Sequence, residues 1–250
     1  MSADRSTASP SQSGSEPLSD LIANGRALEP LRAASPTAYA AAERFWSSGS
    51  ESSALSPRMR ELVLLALNAT PTILHGEGVK RHVDRAKAAG ASDRDVIDVL
   101  ITIAGVSNHA LYWSLPILMR ELQAAGRPVD FPLTPAAQKI KDDFIRERGF
   151  WNEQRDVIAR TMPDYFAALN ELSTESWKNG SLSNKERELI CIAIDCTITH
   201  MYEPGLVIHL RNALKLGATV QEILAVFHLT ALTGIRSYVL GAEALFSEAE

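Results

Sequence analysis

The sequence predicts an all-α protein, on two observations. From Leu18 onward, apolar residues recur at intervals of three and four, the spacing of one helix face, and no convincing stretch alternates apolar and polar residues as a strand does. Signals that begin and end helices punctuate the same region. Ser56-Pro57 and the capping box Ser183-Asn184-Lys185-Glu186 begin helices, and Gly90 and Gly217 end them.

Five helices are predicted in the first half of the chain. Apolar spacing supports the first two, Ser56-Pro57 begins the third, Gly90 ends the fourth, and Ser92 with Asp95 caps the start of the fifth. Their predicted ranges are 18–32, 36–47, 57–69, 75–89 and 93–124.

Six helices are predicted in the second half. The capping box at 183–186 begins the fourth of these, Gly217 ends the fifth, and Thr219 with Glu222 caps the start of the last. The predicted ranges are 135–148, 151–160, 163–178, 184–198, 202–216 and 220–246.

An internal repeat relates the two halves. Three pairs of helix signals are each 127 residues apart: Ser56 and Ser183, Gly90 and Gly217, and Ser92 and Thr219. The same offset, without a gap, pairs His82 with His209. Two copies are too few for a solenoid, so we expect a tandem duplication that forms one compact helical unit.

The repeat predicts the domain organisation. Residues 1–17 are rich in Ser, Thr, Gly, Pro and Ala and are predicted to be disordered or to form an arm. Residues 18–125 are the first repeat and residues 136–250 the second. Between them, residues 126–135 contain three prolines and are predicted to be a semi-rigid linker.

Composition and charge exclude several classes of partner. With 25 basic and 30 acidic residues, the net charge of −5 disfavours nucleic acid. The N-terminus lacks the apolar core of a signal peptide, and no uninterrupted apolar run approaches about 18 residues, so no membrane association is expected. Two cysteines, Cys191 and Cys196, are too few for a disulfide framework. We expect a cytoplasmic protein that acts on a small molecule.

Two histidines at corresponding positions are the first candidates for chemistry. His82 and His209 each lie on an apolar helix stripe, with the small residue Gly78 or Gly205 one turn earlier. A histidine in a core needs a polar partner, so each is either a hydrogen-bonded core residue or part of a site beside the hollow that glycine leaves. One turn further back lies His75 in the first copy.

The entry to the helix at 202–216 holds a second polar group. His200, Tyr202 and Glu203 crowd this segment, and loops that lead into helices commonly carry function. The alternative is ordinary capping, with Glu203 favoured by the helix dipole. No metal is expected, because His75 and His82 are about 10.5 Å apart along an ideal helix.

The two thiols are interpreted as structural. Cys196 lies on the apolar stripe of its predicted helix, and Cys191, off that stripe, has no activating partner nearby in the sequence. Neither is predicted to be a nucleophile.

The second copy carries a recognisable series of residues: the segment from Leu182 to Ile190, then His209, Ala213, the segment from Leu216 to Thr219, and Glu222-Ile223. In this series the chain resembles the carboxymuconolactone decarboxylase family, part of an all-helical superfamily that also holds alkylhydroperoxidase-like proteins. The resemblance covers both copies, at 36–109 and 163–236, and implies a tandem fusion of a domain that usually occurs singly. Peroxidase members carry a C-x-x-C motif, whose positions are here His75 and Gly78, and Tyr202 and Gly205. The missing thiols disfavour dithiol peroxidase chemistry.

The resemblance implies a cofactor-independent decarboxylase that acts on a carboxylated lactone or a related small cyclic acid. In that reading His209 is the acid that reprotonates carbon, Tyr202 donates a hydrogen bond to the oxyanion, and Glu203 orients the imidazole or the substrate. The expected substrate-binding residues are His82, His75 and His200.

Two alternatives remain open: a non-catalytic or ligand-binding scaffold of the same fold, and other lyase, isomerase or hydrolytic chemistry on a related ring. The resemblance also implies homo-oligomers, often ring-shaped hexamers of single-copy chains, so a two-copy chain is expected to form a trimer.

Overall fold

The computed structural model describes residues 17–50 and 53–247, except for the side chains of Ser50 and Ser107, and these residues form helices and turns without a strand. The predicted arm at 1–17 lies almost wholly outside the described residues. The α-helices are α1 (Leu28–Ala34), α2 (Pro36–Ser47), α3 (Pro57–Ala69), α4 (Gly76–Ala88), α5 (Asp93–Ala104), α6 (His109–Ala124), α7 (Pro135–Arg148), α8 (Gln154–Thr161), α9 (Pro163–Asn179), α10 (Asn184–Asp195), α11 (Glu203–Lys215), α12 (Val220–Leu232) and α13 (Ile235–Leu245).

The all-α prediction is confirmed. The helix predicted at 151–160 begins at Gln154, the one predicted at 184–198 ends at Asp195, and three others differ more strongly. The helix predicted at 18–32 is α-helical only from Leu28, because Asn24 accepts a hydrogen bond from the Arg26 amide and caps a 3₁₀ turn instead. The helix predicted at 93–124 is interrupted by a 3₁₀ turn at 105–108, and the one predicted at 220–246 by a turn at 233–234. Glycines at 105 and 234 stand at these breaks.

The chain divides into two compact units by its contacts. The larger unit is Pro57–Thr219, and the smaller one combines Met1–Ser56 with Val220–Glu250. Each unit therefore draws helices from both predicted repeats, whose boundaries stay a prediction.

The larger unit is built around α3 and α10, which pack against each other, with α4 on α3 and α11 on α10. Because neighbours cover them on several sides, both helices are buried over long apolar runs, such as Leu62 to Leu67 in α3. A second cluster, centred on Phe166 and Ile158, joins α6, α8 and α9. These two cores hold the helix ends that carry the polar residues described below.

In the smaller unit, α13 packs on α2, and α12 packs on the turn at 48–50. Gly49 lies so close to Leu232 that a larger side chain would force it to move. Ser48 Oγ and His228 Nε2 are 2.8 Å apart and form a hydrogen bond. His228 is thus held within the smaller unit.

Corresponding residues of the two halves make corresponding contacts in the larger unit. His82 Nδ1 lies 2.8 Å from Glu61, and His209 Nδ1 lies 2.5 Å from Glu188; the second pair is offset from the first by 127 residues. The loops that precede α4 and α11 also match: Leu74 and Met201 both adopt a left-handed backbone conformation, with φ of 46° and 41°. Non-glycine residues rarely adopt it, so a common constraint shapes both loops.

Two helical stretches, Asp93–Ala124 and Val220–Leu245, are long and apolar enough to cross a membrane by length and composition alone. A turn interrupts each stretch, as noted above. Of the 18-residue window tested in each, 35% is buried in the first stretch and 44% in the second. Core helices of water-soluble proteins can pass the same test, so two such stretches do not establish a membrane span.

Candidate functional site

A cavity of about 820 Å³, counting the space open to solvent, lies in the larger unit. Its wall is formed by residues from α5 to α11, including the 3₁₀ turn at 105–108. Those that bear on chemistry are His109, Arg148, Trp177, Cys191, Asp195 and His209. The cavity thus collects residues from both halves of the sequence.

His209 and Glu188 form the central pair. His209 is on α11 and Glu188 on α10, and the imidazole Nδ1–H donates to Glu188 Oε2 at 2.5 Å. The other oxygen of Glu188 accepts from Asn212 Nδ2 at 3.1 Å, so the carboxylate is fixed. Because Nδ1 is engaged, Nε2 is the nitrogen available for proton transfer.

The surroundings of His209 favour the imidazolium. Burial alone would lower the pKa of His209, but hydrogen bonds and charge interactions with Cys191 and Glu188 raise it well above its usual value. At neutral pH the His209 side chain therefore carries a proton that it can donate.

Asp195, the last residue of α10, is buried beside this pair. It is 1% exposed, and its Oδ2 has no hydrogen-bond partner among the described residues. Burial and the nearby Glu188 charge raise the pKa of Asp195 to about 7, although His209, 3.9 Å away, opposes the shift. A side chain at Gly205 would collide with the Asp195 carboxylate, which explains the small residue there.

Three rings stack on the other side of Asp195. His109 Nδ1 and His200 Nε2 are 2.6 Å apart, and the Tyr202 ring stacks on His109 with centroids 3.8 Å apart. Burial, with the positive charge that His200 and His209 can carry, lowers the pKa of His109 to about 3, and burial also lowers the pKa of His200. Both imidazoles are therefore neutral at pH 7, which suits one N–H donating to the other ring.

The Tyr202 hydroxyl is also engaged. It donates to the side chain of Gln154, and burial raises the pKa of Tyr202 to about 12. Tyr202 thus stays protonated and supports His109 through ring stacking.

Arg148 supplies positive charge to the cavity wall. Its guanidinium lies 3.3 Å from the centre of the Trp177 ring, and its nearest atom is 3.6 Å from Glu188. Burial lowers the pKa of Arg148 to about 10, so the guanidinium stays charged at neutral pH. An anionic oxygen in the cavity would find here a donor with fixed orientation.

The structure brings some predicted site residues together and leaves others apart. His209 lines the cavity, and His200 and Tyr202 lie at its edge beside His109. His82 is 2% exposed and pairs with Glu61, and His75 caps α4 by accepting from the Gly78 amide at 2.9 Å. Neither of these two histidines lines this cavity.

The residue that orients the His209 imidazole is Glu188, whereas the sequence suggested Glu203. Glu203 is exposed in the first turn of α11. Six residues separate it from His209, so the two side chains are about 120° apart around the helix axis. The exposed position next to the positive helix end suits a solvated carboxylate.

Four residues of the site escaped the sequence analysis. Glu188 had a detectable signal, since an acid stands 21 residues before each repeated histidine, and Asp195 is an acid that directly follows an apolar run. His109 and Arg148 had none, because the fold brings them from distant helices. Cys191, interpreted as inert, lines the cavity and hydrogen-bonds His209.

Three residues of the site could together hold a metal ion. Among the described residues, donor atoms of His109, Asp195 and His200 all lie within 4.8 Å of one another. The site as a whole offers a proton donor at His209, a fixed cation at Arg148 and an aromatic wall that limits water.

Comparisons with known proteins agree with the helical fold and with the family resemblance. The model of the carboxymuconolactone decarboxylase family matches residues 163–239. A crystal structure from Burkholderia xenovorans LB400, described as a “putative gamma-carboxymuconolactone decarboxylase subunit”, is 33% identical over 88% of each chain, with a TM-score of 0.81. No curated protein matches this sequence. The chain belongs to the carboxymuconolactone decarboxylase family.

Proposed function

We propose that the protein is a decarboxylase that removes CO₂ from a carboxylated lactone or a related small cyclic acid bound beside His209. The observation that carries the proposal is the His209 imidazolium, held by Glu188, in the same cavity as the charged Arg148. Family membership supports the same class of reaction.

The proposed reaction has two steps. The bond between the ring carbon and the carboxylate breaks, CO₂ leaves, and the electron pair moves into the conjugated lactone carbonyl as an enolate. His209 Nε2–H then donates its proton to the ring carbon, and the imidazole regains a proton from solvent. The net change consumes one proton and needs no electron donor or acceptor.

Arg148 and Glu188 take the two supporting roles. The Arg148 guanidinium stabilises the enolate oxygen, a role that the sequence suggested for Tyr202, whose hydroxyl is engaged by Gln154. Glu188 holds the imidazole with Nδ1 occupied, so that Nε2 serves the substrate. The substrate carboxylate is poorly solvated beside the aromatic wall around Trp177. Because its charge is dispersed as CO₂ leaves, this environment favours decarboxylation.

The proposal is tested by CO₂ release from a panel of carboxylated lactones and cyclic acids. We expect His209→Gln to lower kcat by about 100- to 10,000-fold, the usual contribution of a general acid. Arg148→Met should lower kcat similarly, because the enolate loses its cation.

His82→Gln is the discriminating variant in this assay. His82 occupies the same helix position in the first half but is sealed against Glu61, so we expect most of the activity to remain. Equal losses in the His82 and His209 variants would contradict a single site at His209.

Assembly and location complete the proposal. We infer a homotrimer. Three chains with two copies each would fill the six domain positions of a ring-shaped hexamer of single-copy chains. We also propose a cytoplasmic location, because two cysteines are too few for the disulfide framework typical of small secreted proteins.

A further inference from the structure

Three donor atoms at the edge of the cavity are arranged around one point. His109 Nδ1 and His200 Nε2 are 2.6 Å apart, and Asp195 Oδ1 is 3.7 Å from the first and 3.8 Å from the second. The circle through three atoms with these separations has a radius of about 2.0 Å, which is the usual length of a Zn²⁺–N or Zn²⁺–O bond. An ion at its centre would thus be within bonding distance of all three.

We propose that His109, His200 and Asp195 bind one divalent first-row transition metal ion, such as Zn²⁺ or Fe²⁺. Two imidazoles and one carboxylate are ligands that these ions share, and three protein ligands leave coordination positions open. The site lies beside the His209–Glu188 pair but uses other ligand atoms, and it does not depend on the decarboxylase proposal.

The burial of Asp195 independently points to a cation. Its carboxylate is 1% exposed, and Oδ2 has no hydrogen-bond partner among the described residues, although buried carboxylates are normally paired or bound to metal. His209 Nε2 is 3.9 Å from that oxygen, beyond hydrogen-bond length. A cation bound through Oδ1 would balance the charge of this buried carboxylate.

The surroundings fit a ligand set that is held in place and accessible. The Tyr202 ring stacks on His109 and limits its rotation, in the manner of residues that orient metal ligands. His109 and Asp195 line the cavity, so open coordination positions of the ion can reach a molecule there. His200, 15% exposed, lies on the loop before α11 and gives an entry path.

The repeat does not duplicate the donor set. At the positions 127 residues earlier or later, Asp195 corresponds to Asn68, His200 to Ile73, and His109 to Arg236. Since an amide, an alkyl group and a guanidinium do not replace these ligands, the proposal predicts one ion per chain.

The experiment measures Co²⁺ binding to the full chain after treatment with a chelator, by titration calorimetry and by the visible absorption of bound Co²⁺. We expect one ion per chain. Asp195→Asn and His200→Ala should each weaken binding by more than about tenfold, since even the partners behind metal ligands contribute 10- to 100-fold. His228→Ala, which changes a histidine held in the smaller unit by Ser48, should leave binding unchanged.

Three outcomes would overturn the site: no binding in the unaltered chain, binding equally weakened in His228→Ala, or binding unchanged in both ligand variants. Thermal unfolding of each variant without metal shows that it is folded. Because metal binding is measured directly, failure of the decarboxylase assay leaves this result unaffected, and the reverse also holds.

Discussion

Exposure distinguishes the two glutamate–histidine pairs at the scale of single residues. His82 is sealed at 2% exposure, whereas the His209 side chain is 20% exposed and faces the cavity. Both pairs have the same contact, Nδ1 to a glutamate on the preceding core helix. The repeat predicted that these histidines correspond, but it did not predict that one is sealed and the other faces a cavity.

The variant Glu188→Gln tests whether Glu188 keeps the His209 imidazole protonated. Removing the negative charge should lower the pKa of His209 and move the basic limb of the kcat/KM profile to lower pH. A raised folded-state pKa stabilises the fold below the usual histidine value of about 6.5, and this stabilisation is lost as pH rises through the folded-state pKa. The variant should therefore lose more stability at pH 5 than at high pH.

An NMR titration of the His209 ring is the measurement for Glu188→Gln, with denaturant unfolding at both pH values. Glu61→Gln is the matched control and should leave the His209 titration unchanged. If the pKa of His209 were unaltered in Glu188→Gln, Cys191, the other group that raises this pKa, would be sufficient to keep it high.

Asp195→Asn should stabilise the metal-free protein in a pH-dependent way. The folded-state pKa of Asp195 is about 7 against an ordinary 3.8, so its ionisation destabilises the fold increasingly from about pH 4 to pH 7 and constantly above. Asparagine removes that cost, up to about 4 kcal/mol at pH 8. Asn68, its counterpart, donates to the Leu64 carbonyl at 2.7 Å, and an amide at 195 could bond the Cys191 carbonyl likewise.

Denaturant unfolding at pH 4 and pH 8, with chelator present, checks this prediction. We expect a gain at pH 8 and little change at pH 4. A variant that is less stable than the unaltered chain at pH 8 would contradict the account of Asp195 as a buried, uncompensated carboxylate.

At the scale of elements, local signals predicted where helices begin better than where they break. The capping boxes at Ser92 and Ser183 mark the starts of α5 and α10, because their side chains satisfy the free amides of the first turn. The breaks near Gly105 and Gly234 fall inside continuous apolar spacing. Spacing alone cannot distinguish a straight helix from two helices that share a face.

A buried ion pair joins α5 to α10. Arg187 donates from Nε and Nη2 to Asp98 at 3.2 and 2.7 Å, and the side chains are 3% and 1% exposed. The Leu182 amide also donates to Asp98, at 2.9 Å. These contacts fix the start of α10, the helix that carries Glu188 and Asp195.

Asp98→Ala should destabilise the protein by about 3–5 kcal/mol, because it leaves Arg187 buried without its partner. Asp98→Ala combined with Arg187→Met should recover part of that loss, since no charge then remains uncompensated. Denaturant unfolding of both variants measures the difference. A double variant less stable than the single one would show that the pair itself contributes net stability.

At the scale of the whole molecule, the candidate site is built from both halves of the sequence. His109 comes from the first predicted repeat, whereas Arg148, Glu188, Asp195 and His209 come from the second. The family, the helices and His209 could therefore be predicted from local patterns. The grouping of Arg148, Asp195 and the imidazole cluster around His109 could not be predicted, because these residues meet only through the packing of distant helices.

Exposed apolar side chains of the larger unit support the proposed trimer. Trp113 on α6 is 73% exposed and Ile198, before α11, is 78% exposed. Tryptophan is among the residues enriched in protein interfaces, and large apolar groups in water mark such surfaces. We expect the 27.2 kDa chain to sediment at three times its mass, about 82 kDa.

Trp113→Glu tests whether this residue contributes to assembly. A charge at a buried interface position opposes association, so the variant should sediment below the trimer mass at equal protein concentration, with unchanged helix content by circular dichroism. Trp113→Phe, the matched control, keeps the apolar ring and should remain trimeric. A trimer that survives Trp113→Glu would place the interface on another face, and a monomeric unaltered chain would contradict the assembly itself.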